Sequence, residues 1–307
     1  MAGVFVVTGA QGFLGRVLSG MLRHQGHRVL GLDRLPGPHP DDRVGDLGEP
    51  ESWRSAMEAP GIRGVFHLAG RVGEPRDGDQ RRAMLRDTLE GTLGLLEWIG
   101  GLESRPRLVL ASSAAVYGVP ASGDGRVRET DPVAPRLLYG VAKAAQEEIV
   151  RREVRLGRLE AVIGRLFNVT GPGEGPGSVT GAAALQLAQG ASVLRLGRTD
   201  TVRDFLDVRD AARALMLLMD RGPSGEVLHV ASGVGESVGD RVRRLVRASG
   251  RRVAVETVPE RVRPEDVPVA VADVSRLRAL GFRAEVDPDR SAADLLASLE
   301  GKEVSWT

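Results

Sequence analysis

The stretch "GVFVVTGAQGFLGRVLSGML", residues 3–22, limits the fold more than any other part of the chain. A β-branched apolar run is followed at once by Gly9, Gly12 and Gly15, and then by Phe13, Leu14, Val17, Leu18, Met21 and Leu22 at three-and-four spacing. The run has the form of a strand buried on both faces, and the spaced residues form one face of a helix. Glycines at this spacing allow a tight turn and let backbone N–H groups approach a pyrophosphate at the positive end of the helix. "HRVLGLD", "GVFHLAG", "RLVLASS" and "EAVIGRLFN" read as further strands. Between them lie a short helix carrying Trp53, Ala56 and Met57 and helices over roughly 80–100 and 138–157. Such alternation predicts an α/β fold, a Rossmann-type doubly wound parallel sheet covered on both faces.

After Asn168 the composition changes. "TGPGEGPGSVTG" reads as a mobile loop, and the elements beyond it are shorter. The stretch from Val202 to about Ser232 returns to strand-and-helix grammar. The expected division is a dinucleotide-binding domain over 1–167 and about 202–231, with a smaller C-terminal lobe over about 168–201 and 232–307.

Charge excludes several classes of partner. The 42 basic and 41 acidic side chains leave a net charge of +1, which gives no reason to expect nucleic acid or a membrane surface. Without cysteine there is no disulfide, thiol nucleophile or thiolate metal site. The five histidines show no helical pair suited to a metal, and His67, inside a strand, reads as core. No apolar run approaches the ~20 residues of a membrane span, and no secretory signal is visible, so a cytoplasmic protein is expected.

Asp33 closes the second strand about twenty residues after the glycines, where a carboxylate accepts hydrogen bonds from an adenosine ribose. Arg34 could neutralise a 2′-phosphate, which Asp33 would repel; NAD(H) is favoured, with NADP(H) the alternative. Asp46 is a candidate for the adenine edge or, equally, an N-cap.

"LLYGVAKAA" raises a question of usage. The chain has two tyrosines (Tyr117, Tyr139) and two lysines (Lys143, Lys302), against 40 arginines (42 Lys+Arg less two Lys). Tyr139 and Lys143 stand four residues apart, on one face of a helix. A nearby ammonium favours the phenolate and lowers the tyrosine pKa, which prepares it to exchange a proton with a substrate hydroxyl. A compact ammonium suits this role better than a flat guanidinium. Ser113, after the fourth strand, would hydrogen-bond the reacting oxygen. The alternative is a surface aromatic beside a solvated charge.

Taken together, the residues resemble the extended short-chain dehydrogenase/reductases, the superfamily of sugar-nucleotide epimerases, dehydratases and reductases. "TGAQGFLG", "VFHLAG", "LASSAAVYG", "ETDPVAPRLLYGVAK", "RLFNVTGPG", "TVRDFLDVRDAARA" and "RPEDVPVAVADVSRLRALGF" carry the resemblance over almost the whole chain. It implies Ser113, Tyr139 and Lys143 as catalytic residues and a C-terminal lobe that grips a nucleoside diphosphate sugar. It also implies cofactor contacts at Gly9, Gln11, Gly12, Phe13, Leu14, Gly15, Asp33, Arg34, Asp46, Leu47, Leu68, Ala69, Gly70, Thr88, Ala111, Tyr139, Lys143 and Phe167. Substrate contacts would come from Ser113, Ala114, Asn168, Arg203 and Arg263, the arginines holding the diphosphate by bidentate hydrogen bonds. Surface ion pairs with Asp204 and Asp266 are the alternative for those two arginines. Thr88 departs from the family, which usually has an asparagine there to support the cofactor region.

Family 4,6-dehydratases carry Asp-Glu after the catalytic Ser/Thr, decarboxylases a Glu and epimerase-reductases a Cys at the second position. Here these positions are Ala114 and Ala115, and an alanine cannot move a proton. Chemistry that needs only Ser, Tyr, Lys and hydride remains: 4-keto reduction, 4-epimerisation or alcohol oxidation. The wording is nearest to GDP-4-keto-6-deoxymannose reductases. A 4-epimerase is the runner-up, and a non-catalytic cofactor sensor a third reading. Helices 80–100 and 138–157 carry apolar residues on more than one face (Leu89, Leu93, Leu95, Leu96, Trp98), and family precedent pairs them in a homodimer.

Overall fold

The computed structural model describes residues 3–120, 125–262 and 267–304. In chain order the elements begin β1 (Val4–Thr8), α1 (Phe13–His24), β2 (Arg28–Asp33), β3 (Asp42–Val44), β4 (Ile62–His67), α2 (Gly78–Leu85) and α3 (Gly91–Gly100). Next come β5 (Arg107–Ser113), β6 (Arg126–Val127), α4 (Leu138–Arg155), β7 (Ala161–Leu166), β8 (Asn168–Thr170), α5 (Val179–Ala188) and β9 (Val193–Leu196). The chain continues through β10 (Val202–Asp207), α6 (Val208–Arg221), β11 (Val227–Val230), β12 (Gly235–Ser237), α7 (Val238–Ala248), β13 (Ala254–Thr257), β14 (Val269–Ala272), α8 (Ser275–Ala279) and α9 (Pro288–Leu299).

These elements form two compact units. The first takes the chain up to Gly118, Val133–Leu166 and Ala212–Leu228; the second takes Val119–Pro132, Phe167–Ala211 and the chain from His229 onward. The second unit thus includes 119–132 and 202–211, which the sequence reading leaves in the first.

The main sheet has seven strands in the order β3-β2-β1-β4-β5-β7-β11. Its pairings from β3 through β7 are parallel. Strand order reverses at β1/β4, the switch point where doubly wound sheets open a crevice at their carboxyl ends. Side chains of β1 are buried on both faces, as the unbroken apolar run requires. One face packs Leu30, Leu32, Trp53, Met57, Ile62, Val65, Leu95, Trp98 and Leu108, with Trp53 edge-on to Trp98 at 5.7 Å. Each such buried apolar side chain contributes roughly 1.5–3 kcal/mol over leaving it in water.

Three sequence expectations differ from the structure. The stretch around Trp53 is two 3₁₀ turns (Pro50–Ser52, Ser55–Met57) anchored by buried Trp53 and Met57, because Pro50 and the following polar residues sustain no longer helix. "EAVIGRLFN" is two strands: β7 pairs with β5, whereas β8 pairs with β10 in the second unit. The Gly/Pro loop after Thr170 is closed around a carboxylate. Glu174, 5 % exposed, accepts from the Thr170 hydroxyl (2.7 Å), Gly171 N–H (3.3 Å), Thr180 hydroxyl (2.5 Å) and Ser178 hydroxyl.

The second unit builds on β12-β10-β14-β6, with β8 also on β10, and a separate β13–β9 pair. Its core gathers Leu187, Leu194, Leu196, Val242, Leu245, Leu295 and Leu296. Among the described residues no helix is long and apolar enough to cross a membrane.

Candidate active site

At the switch point the glycines do what their spacing suggests. Gly9 has φ +70°, and a Cβ there would stand 2.9 Å from the Ala69 backbone; one on Gly15 would stand 2.0 Å from the Gly9 carbonyl oxygen. The turn is therefore packed against the end of β4 with no room for a side chain. Gly12 caps α1 without a side-chain acceptor, and the first turn holds no acidic residue. The N–H groups of its first turn are thus left without a side-chain cap, which suits a pyrophosphate.

Asp33 accepts the Gln11 N–H at 2.9 Å and the Leu35 N–H at 3.1 Å, which ties the end of β2 to the glycine turn. Beside it, Arg34, Arg71 and Arg86, from three separate segments, converge on buried Asp87 at 2.5, 2.6 and 3.0 Å. Burial opposes ionisation of Asp87, but the three guanidiniums outweigh it and hold the carboxyl below its usual range. Arg34 also pairs with Asp46 at 3.1 Å, and Asp46 accepts the Gly48 N–H at 2.9 Å, so Asp46 serves a turn and an ion pair together. Leu47 is buried beside it. The glycine cradle, the uncapped helix and the Asp33–Arg34 edge together fit a nicotinamide dinucleotide.

Tyr139 lies in the first turn of α4, half-buried, and its hydroxyl is hydrogen-bonded to Ser113 at the end of β5. Burial raises the Tyr139 pKa above its ordinary value, with the Ser113 bond opposing. The expected lowering by Lys143 is absent. The Lys143 ammonium instead donates to the Ala111 carbonyl and to Gln146 Oε1, each at 2.9 Å. Burial lowers the Lys143 pKa to about 8, with the Glu147 carboxylate opposing. Gly70 passes close by: a Cβ there would meet Lys143 Nζ at 3.6 Å. Leu68 and Ala69 donate their N–H groups to the backbone oxygen and hydroxyl of Thr8, both at 3.2 Å.

Ser113, Tyr139, Lys143, Ala111 and Gly70 therefore meet in the first unit. Thr88 sits in a π-turn (Arg86–Glu90) between α2 and α3, buried, and its carbonyl accepts the Thr92 hydroxyl. Phe167, Asn168 and Arg203 belong to the second unit. Phe167 packs edge-on to His229 at 5.1 Å, the Asn168 amide donates to the Asp204 carbonyl at 3.1 Å, and Arg203 donates to the Val202 carbonyl at 2.8 Å. The carboxylate of Asp204 is taken up by Ser232, Gly233 and Ala272. Arg263 lies outside the described residues.

Sequence reasoning missed the polar layer beneath the site. Glu147, one turn beyond Lys143, accepts from Arg165 at 2.7 and 2.8 Å and from Ser112 at 2.5 Å, and Arg165 reaches the Tyr117 hydroxyl at 2.5 Å. The positions of Gln146 and Glu147, three and four after Lys143, were the available signal. Among the described residues no group of histidine and carboxylate side chains could hold a metal ion.

The family model for the NAD-dependent epimerase/dehydratases matches residues 5–231. The dTDP-6-deoxy-L-talose 4-dehydrogenase (NAD(P)(+)) of Kitasatospora kifunensis is 33 % identical over 82 % of this chain and 81 % of its own. The GDP-6-deoxy-D-mannose reductase of Pseudomonas aeruginosa is 30 % identical over 96 % and 97 %. The structure of RMD from Pseudomonas aeruginosa complexed with NADPH superposes with a TM-score of 0.84, at 28 % identity over 98 % of this chain and 100 % of that one. With that match over most of its length and the dinucleotide cradle at its switch point, the chain belongs to the NAD-dependent epimerase/dehydratase family.

Proposed function

We propose that the protein is an NAD(P)H-dependent reductase of a nucleotide-linked 4-keto-6-deoxyhexose. One observation carries the reading: Tyr139 is bonded to Ser113 and Lys143 to Ala111 of the same strand, while Ala114 and Ala115 offer no second acid or base after Ser113. Two relatives named for oxidation or reduction of 6-deoxyhexose nucleotides support it.

A nicotinamide dinucleotide held at the glycine turn and Asp33 would supply the hydride. Tyr139 gives its hydroxyl proton to the carbonyl oxygen, and Ser113 donates a hydrogen bond to the charge developing there. Burial keeps the phenol protonated, which is the form a reduction starts from. The Lys143 ammonium, one turn along and held by Ala111 and Gln146, keeps one N–H donor for the reacting side. Asn168, Arg203 and Arg263 would hold the sugar diphosphate. The same reading carries a cytoplasmic location and a homodimer.

The test is turnover of NADH and NADPH across a panel of nucleotide-linked 4-keto-6-deoxyhexoses, with product stereochemistry determined. Stoichiometric cofactor loss with a new 4-hydroxyl is expected, and Tyr139→Phe should lower kcat by roughly 10²–10⁴. Absence of cofactor consumption would sink the reductase reading. Tightly bound NAD with inversion at C4 would establish the epimerase instead.

A further inference from the structure

We propose that Gln146 is the positioning residue of the site, holding the Lys143 ammonium through a buried hydrogen-bonded chain that reaches the cofactor loops at Ala69 and Thr88. This rests on Lys143 belonging to the catalytic set. Gln146 is fully buried, and each of its amide atoms is committed. Its Oε1 accepts from Lys143 at 2.9 Å, while Nε2 faces Thr92 Oγ1 at 2.8 Å and His67 Nε2 at 3.1 Å. A flipped amide would set its NH₂ against the ammonium, so the orientation is fixed by charge.

The chain continues through both partners of Nε2. The Thr92 hydroxyl spends its proton on the Thr88 carbonyl. His67 Nε2 also lies 3.0 Å from Thr92 Oγ1, its Nδ1 is bonded to the Thr8 hydroxyl at 2.8 Å, and Thr8 Oγ1 accepts the Ala69 N–H at 3.2 Å. His67 is neutral in this chain. Burial, reinforced by the Lys143 charge, holds its pKa at about 3. Two of the three ammonium donors are thereby fixed on Ala111 and Gln146, leaving one for the reacting side. The charged or titratable groups that act on Lys143 are Glu147 on α4 and His67 on β4, with Tyr139 one turn back along α4 and Arg165 on β7 bonded to Glu147.

The composition supplies a direct readout. Lys143 and Lys302 are the only lysines, and the Lys302 side chain is 68 % exposed, so lysine labelled at Cε gives two resolvable titrations. The full-length protein is compared with Gln146→Met, which keeps length but removes the acceptor, and Gln146→Glu, which keeps an acceptor and adds charge. Removing an acceptor from an ammonium should lower the Lys143 midpoint by about one pH unit in Gln146→Met, a tenfold weaker hold on the proton. In Gln146→Glu the midpoint should rise, with Lys302 unmoved in both. The alkaline limb of kcat/KM should follow the Lys143 midpoint in each variant.

A midpoint unchanged in both variants overturns the proposal, whatever happens to activity. A midpoint that shifts as described while the rate profile stays put upholds Gln146 as the holder of the ammonium and instead removes Lys143 from the catalytic set. Should Gln146→Met not fold, the upward shift in Gln146→Glu decides alone.

Discussion

A lysine only 5 % exposed is an expensive way to place a positive charge. The sign of that cost is measurable. The folded-state pKa of Lys143, about 8, lies below the 10.5 of a free side chain. Below pH 8 both states carry the proton and the burial cost is fully present; between about 8 and 10.5 the unfolded chain holds more protons, so stability rises with pH. The shift corresponds to on the order of 3 kcal/mol. Comparing the native protein with Lys143→Met in urea at pH 7 and pH 10.5 cancels other titrations, and the difference should move in favour of the native protein by about that amount. Equal differences at both pH values would mean that the amine is not desolvated. Of this residue layer, the Tyr139–Lys143 pair stood out in the sequence because two rare residue types lie four apart, the spacing of one helix face, whereas Ser113 stood out only by its place after a strand. The spacing of Gln146 from Lys143 offered a signal for that contact, but its other partner, His67, lies 79 residues away in the chain, which no local pattern marks.

Between elements, buried carboxylates do the organising. Asp204 on β10 has no exposed surface; one oxygen accepts the Ser232 N–H (2.8 Å) and hydroxyl (2.6 Å), the other the Gly233 N–H (2.9 Å) and Ala272 N–H (3.2 Å). It joins β10 to the turn after β11 and to β14. Asp204→Asn keeps the shape but presents an NH₂ group to two donors, and should destabilise the fold by about 2–4 kcal/mol. Asp200→Asn, at an exposed pair with Arg198, should stay within about 0.5 kcal/mol. Equal urea midpoints for the two variants would refute the organising role. The Glu174 loop shows why such features escape sequence reading. Gly and Pro content reports what the backbone can do, and "GPGEGPG" permits motion. The single Glu at its centre closes the loop because Thr170, Ser178 and Thr180 bring their hydroxyls to it, a convergence that spacing alone does not reveal. Strands β1, β2, β4, β5 and β7 of the main sheet were legible because parallel strands buried on both faces leave unbroken apolar runs, whereas β3, with no buried side chain, leaves none and was missed.

At the scale of the whole molecule, the apolar residues of the 80–100 helix sort into two groups that the sequence runs together. Leu95 and Trp98 are core, whereas Leu93 stays 47 % exposed on α3 and Val141 44 % exposed on α4. Among the described residues these two are the large apolar side chains exposed within helices. Single exposed apolar residues need no explanation, but a pair on helices of the same unit agrees with the proposed homodimer. Light scattering should then give a mass near 65.4 kDa, twice the 32.7 kDa of the chain. Glutamates at both positions would put four like charges into one self-complementary patch, and like charges so placed cost several kcal/mol, which weakens association by more than about 100-fold. Leu93→Glu/Val141→Glu should therefore run at 32.7 kDa with an unchanged far-ultraviolet spectrum. A double variant that stays dimeric would move the interface off this face, and a native protein monomeric at tens of micromolar would end the dimer reading.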